Sequence, residues 1–245
     1  FTCKSLFYHF FLCSKFECVL FTSLFTYALV VGKLDLLTWA SSFFDQKQKK
    51  VIWKADTFSC AANHGHLEIV KYLYKNRYPW NAITCASAAA NGPLEVLTYL
   101  HHNGCPWDEY ACSNAALNGH LEVLKYLHQN GCPWDEDACY NAAQNGHLEV
   151  LKYLHQNGCH WDERACENAA MNGHLEVLKY LHQNGCPWDE QSHFYAAYGG
   201  HFEVVKYLHE NGCPWNQYHP CSNAAQNKVG TITTRTIPNL SPKES

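Results

Sequence analysis

The sequence predicts an all-α solenoid of stacked helix-turn-helix repeats. Three observations carry the prediction: a 27-residue period, glycines at two fixed points of each period, and apolar residues at helical spacing between them. The period shows in Leu67, Leu94, Leu121, Leu148, Leu175 and Phe202, and again in Trp53, Trp80, Trp107, Trp134, Trp161, Trp188 and Trp215.

Residues 1–17 form an N-terminal apolar segment. Lys4 followed by Leu6 to Cys13 has the size of a signal-peptide core, but no small-residue cleavage site follows. The apolar run Val19 to Val31 is 13 residues long. That is short of the roughly 20 that span a bilayer, so it reads as a buried capping helix. Residues 18–52 make a degenerate capping repeat: Phe25 to Leu37 fits the template around Gly32, and six residues are inserted around Ser41 to Val51 as a polar, Lys-rich loop.

Residues 53–214 hold six 27-residue repeats, of which 108–134 is typical. Asp108 is a good N-cap, and the Ala-rich stretch Tyr110 to Leu117 favours a slim first helix, helix A. Gly119 ends it, because only glycine enters the left-handed conformation without a Cβ penalty. Leu121 to His128 forms helix B, with Leu121, Val123, Leu124 and Leu127 as its apolar face and Glu122 paired to Lys125. Gly131 closes helix B and Pro133 prevents its continuation. Two helices of this length cannot bury a core alone, so the units must stack. Residues 215–228 restart a partial repeat in which Lys228 replaces the hinge glycine, and 229–245 read as a disordered or aberrant tail. The chain starts at Phe1 and its last repeat stops short, so it reads as a piece of a longer protein.

The wording Asn-Ala-Ala-x-Asn-Gly-His-Leu-Glu-Val-Leu-Lys-Tyr-Leu-x-x-x-Gly, as at 114–131, resembles the second half of an ankyrin repeat, and the resemblance covers roughly residues 18 to 228. The Thr-Pro-Leu-His signature of that family's first half is absent, its place taken by Tyr110-Ala111-Cys112-Ser113 and equivalents. Each unit is also six residues shorter than the family's standard repeat, and the missing residues fall where the family makes its β-hairpin finger. The resemblance therefore implies an ankyrin-like α-solenoid with the β-hairpin fingers largely absent, the Trp of Gly-Cys-Pro-Trp filling the vacated volume between repeats. Compact repeats of this wording are similar to those in arrays encoded by giant viruses, oomycetes and brown algae.

Formal charge is −4, and no basic stripe crosses the repeats, which argues against nucleic acid as a partner. The 14 Cys fall mostly in two registers, Cys105, Cys132, Cys159, Cys186, Cys213 and Cys85, Cys112, Cys139, Cys166. Equivalent positions of stacked helices lie about 8–10 Å apart, beyond disulfide reach, so the thiols read as buried, reduced and structural. Reduced thiols place the chain in the cytoplasm, its own or a host's. The His of the hinge, at 66, 120, 147, 174 and 201, opens helix B; the register 101, 128, 155, 182 and 209 reads as solvated helix-end His. Every Cys, His or carboxylate grouping is repeated, where an enzyme needs one singular constellation. No catalytic residue, metal ligand or cofactor is assigned, and the chain is read as a non-enzyme with no membrane or small-molecule partner.

Helix B is nearly monotonous from unit to unit, whereas helix A varies at offsets i, i+3 and i+7, one helical face. The varied positions Tyr110, Ser113, Leu117, Asp137, Tyr140, Gln144, Arg164, Glu167, Met171, Gln191, Phe194 and Tyr198 are rich in the residue types that anchor interfaces. The resemblance places ankyrin contacts on this same concave side. The expected function is thus an adaptor or scaffold binding a protein partner through the helix A face. The alternative is the substrate-recruiting arm of a ubiquitin ligase or other regulatory complex whose functional domain lies beyond this piece.

Overall fold

Glycine sets the helix ends as the spacing predicts. Gly119 and Gly131 sit at φ 74° and 78°, in the left-handed region, one residue after the C-caps Asn118 and Asn130. The computed structural model describes residues 14–46 and 56–214. Trp53, Trp215, the partial repeat at 215–228, the tail at 229–245 and the signal-like stretch before Ser14 lie outside the described residues.

All described elements are helices: α1 (Ser14–Val31), α2 (Leu34–Gln46), α3 (Asp56–Asn63), α4 (Leu67–Lys75), α5 (Ala82–Asn91), α6 (Leu94–His102), α7 (Glu109–Leu117), α8 (Leu121–Gln129), α9 (Glu136–Gln144), α10 (Leu148–Gln156), α11 (Glu163–Met171), α12 (Leu175–Gln183), α13 (Glu190–Tyr198) and α14 (Phe202–Glu210). No strand occurs among the described residues, so the helix-to-helix connections there carry no β-hairpin finger. From α3 onward odd-numbered helices are helix A and even-numbered helices helix B. No helix is long and apolar enough to cross a membrane among the described residues.

The chain forms two compact units, residues 1–107 and 108–245. In the first, α1 and α2 precede two repeats. Phe25, Ala28 and Leu29 of α1 are buried, as are Leu37 and Ala40 of α2, while Tyr27, Val30 and Val31 of α1 are exposed. The insertion behaves differently from the expected loop: α2 runs through Gln46, so Ser41 to Gln46 lengthen the second helix, and the rest of the insertion, 47–51, lies within the undescribed residues 47–55.

The second unit holds four repeats, α7 to α14. Its core is uniform: Val123, Leu124 and Leu127 of α8, with their equivalents in α10, α12 and α14, face Ala and Cys of the helices A. The alanines are fully buried, so adjacent helices A meet closely, and they pack on one another far more extensively than the helices B do. Asp135, Asp162 and Asp189 cap α9, α11 and α13 through their carboxylates, whereas Asp108 occupies the N-cap of α7 without a side-chain cap bond.

Two expectations need correction. The tryptophans reach the next repeat but are not enclosed there: Trp134, Trp161 and Trp188 are only half-buried, at the helix B side. Each stacks on the histidine ending its helix B, His128, His155 or His182, at centroid distances of 4.0, 3.9 and 3.8 Å. Those histidines are therefore covered by indole rather than solvated at the helix end. The next repeat's tyrosine closes the cluster edge-on, as Tyr153 does against Trp134 at 6.4 Å, and its hydroxyl lies 3.0 Å from His128 Nδ1. A flat aromatic surface offers partners to a half-exposed indole that an aliphatic pocket does not.

Candidate interaction surface

Position within the short helix A decides how each varied side chain is presented. The register of Tyr110 lies in the first turn, that of Ser113 in the middle and that of Leu117 at the last residue. All three point away from the buried Ala and Cys positions between them. Within the second unit, the large hydrophobic residues left exposed among the described residues are Tyr110, Met171, Phe194 and Tyr198. All four belong to this face. Tyr110 and Tyr198 are the most exposed of the four, at 61% and 60%.

Leu117, Asp137, Tyr140, Gln144, Arg164, Glu167 and Gln191 are half-buried along the same side. Ser113 departs from the expected surface. It is 5% exposed, and its hydroxyl donates to the carbonyl oxygen of Glu109 in its own helix, 3.1 Å away. A short polar side chain in mid-helix satisfies itself on the preceding turn and sinks below its longer neighbours.

Arg164 ties two neighbouring helices A together, α9 and α11. Its guanidinium reaches Asp162 at 2.8 Å, Asp137 at 3.4 Å and Glu136 at 3.6 Å, and lies over the Tyr140 ring at 5.8 Å. The hydrogen bond to Asp162 raises the Arg164 pKa further, so its charge is permanent. Around it the field is negative. Burial, followed by the charge of Asp189, raises the Glu167 carboxyl above its usual range, and burial with Asp137 does the same for Asp135.

Helix B presents the opposite picture. Lys125, Lys152 and Lys179 each pair with a glutamate of the same helix at 2.7 Å. These are exposed, locally neutral i,i+3 pairs.

The cysteines show what the spacing alone did not reveal. Two repeats bring their two registers together. Cys139 hydrogen-bonds the Cys159 thiol, which with burial raises its pKa strongly, and Cys166 does the same with Cys186. The Cys159 and Cys186 thiols donate onward to the carbonyl oxygens of Asp135 and Asp162 at 3.2 and 3.3 Å. The ten cysteines from Cys60 to Cys213 form no disulfide. Among the described residues no group of three or more His, Cys, Asp or Glu is placed to hold a metal ion.

Comparison with known families identifies what the geometry resembles. A family described as ankyrin repeats (many copies) matches residues 58–101 and 166–209, and one described as ankyrin repeats (3 copies) matches residues 85–165. A search of the curated proteins returned no match.

Proposed function

The chain belongs to the ankyrin-repeat family, and from that premise we propose that it is an adaptor or scaffold whose protein partner docks on the helix A face of its second unit. The family's fold is a non-catalytic scaffold that generally mediates protein–protein interaction. The observation that carries the choice of face is the coincidence just described: the exposed large hydrophobics of that unit fall on the positions that vary between otherwise uniform repeats. Aromatic anchors dominate binding energy in most interfaces. A face serving only as solvent boundary would carry short polar residues at those positions at no structural cost. The free thiols suit a reducing compartment, and a cytoplasmic location is part of the proposal.

The test immobilises the full chain and compares the proteins it retains from a native lysate with those retained by two variants. Phe194→Ala with Tyr198→Ala should lose the specific partner while helical circular dichroism is unchanged. Lys152→Ala, on helix B, should keep it. The reverse outcome would assign binding to the other side of the stack.

A further inference from the structure

We infer, building on the reading that the helix A face is the docking surface, that the partner presents an amphipathic segment rich in Lys and Arg. Each helix A of the second unit opens with the same pair, Asp-Glu, at 108–109, 135–136, 162–163 and 189–190, and Asp137 and Glu167 add to the row. Against these carboxylates the same helices carry a single fixed cation, Arg164, already held by Asp162, Asp137 and Glu136. His193 adds no charge near neutral pH, because burial lowers its pKa. The lysines of helix B are paired within their own helices and lie on the opposite side.

Capping accounts for the aspartates Asp135, Asp162 and Asp189, and the helix N-terminus favours first-turn acids such as Asp137, but neither calls for Glu167 in mid-helix. Successive helices A are about 8–10 Å apart, near the Debye length at physiological salt, so neighbouring rows reinforce one another. A field of one sign selects partners of the other and repels nucleic acid.

The apolar part of the face lies beside the acidic row. Met171 and Tyr198 end their helices, with Phe194 one turn before Tyr198. Nine residues of helix separate the two strips by about 12–13 Å, close to one helix diameter. A helix lying along the stack can set basic residues over the carboxylates and apolar ones on the aromatic strip, and two of its turns match one repeat step.

The experiment measures binding of the full chain to a labelled amphipathic Lys/Leu peptide by fluorescence anisotropy, with a Glu/Leu peptide as counterpart. The Lys/Leu peptide should bind, more weakly as salt rises, and the Glu/Leu peptide should not. Reversing Glu163→Lys and Glu190→Lys should weaken binding roughly tenfold with circular dichroism unchanged. The matched helix B reversal, Glu149→Lys and Glu176→Lys, should have a much smaller effect. Equal losses from both reversals, or no binding of the Lys/Leu peptide, would overturn the inference. If Phe194→Ala with Tyr198→Ala weakens binding but Glu163→Lys with Glu190→Lys does not, the docking face stands and the basic partner falls. If neither pair matters, both fall.

Discussion

His174 reaches back across a repeat boundary, its Nε2 donating to the carbonyl oxygen of Gln144 at 3.0 Å. His147 does the same to Leu117 at 3.1 Å, and His66 to Val30 at 2.9 Å. These carbonyls belong to the last turn of a helix A or, for Val30, of α1, where no intrahelical donor exists. The hinge histidine therefore opens its own helix B and also completes the previous repeat's helix A. The ring lies over the previous hinge glycine to make that bond.

Gly146 is such a hinge, at φ +75°, and a Cβ there would stand 2.7 Å from His174 Nδ1. Gly131 has φ +78° with nothing within 4 Å. Both Gly→Ala changes incur the left-handed penalty of about 1 kcal/mol, but only Gly146→Ala also displaces the imidazole. Urea unfolding should show Gly146→Ala less stable than Gly131→Ala by at least about 1 kcal/mol. Equal midpoints would mean that the inter-repeat hydrogen bond contributes nothing.

Arg77 occupies the register of Gly104 and is the one non-glycine residue with positive φ among the described residues, at 59°. Arg77→Gly should raise the urea midpoint, by about 1 kcal/mol in stability. A lower midpoint would show that the arginine side chain outweighs its backbone strain.

Trp134 rests on one face of His128 and remains half-buried, whereas Leu127 is fully buried. Trp134→Ala should cost about 1–3 kcal/mol and Leu127→Ala about 2–5 kcal/mol, so the aliphatic change should be the more damaging. The opposite order would make the aromatic ladder, rather than the aliphatic stripe, the main source of cohesion.

His193 is buried, and desolvation lowers its pKa from the usual 6.5 even though its Nδ1 donates to the Pro214 carbonyl at 3.0 Å. The unfolded chain therefore binds the proton more readily than the folded one. Stability is full above pH 6.5 and falls as pH drops through that value, until the folded-state pKa is reached. His101 contributes in the same direction, also through burial. Asp135 and Glu167 act oppositely at lower pH, where their raised pKa values favour the folded state on protonation. Urea midpoints should decline between pH 7.5 and about 5.5, and less so in His193→Gln. An identical decline in that variant would remove His193 as the cause.

Cys60 is half-buried, whereas Cys139 and Cys166 are fully enclosed and hydrogen-bonded to a second thiol; Cys213 is pushed up to about 12 by burial and the neighbouring Asp189 charge. Since the thiolate is the nucleophile, iodoacetamide followed by peptide mass analysis should find Cys60 modified before these three. Chelator and reductant should leave helical circular dichroism unchanged.

The sequence by itself determined the helices, their ends and the repeat. Those features follow from local chemistry: glycine at a left-handed turn, aspartate at an N-cap, and leucine every three or four residues repeat with the chain and need no knowledge of neighbours. It also separated uniform from varied positions, which is why most of the helix A face was legible. Only the tertiary structure decided what depends on the adjoining repeat or on fine packing depth. Ser113 and Tyr140 share a register, yet the serine is buried and the tyrosine half-exposed beneath Arg164. Cys139 and Cys159, twenty residues apart, meet because helices A and B of one repeat fold antiparallel. Trp134 stays near the surface because His128 and Tyr153 give an indole flat partners there, and that match of ring to ring exists only once two repeats are stacked.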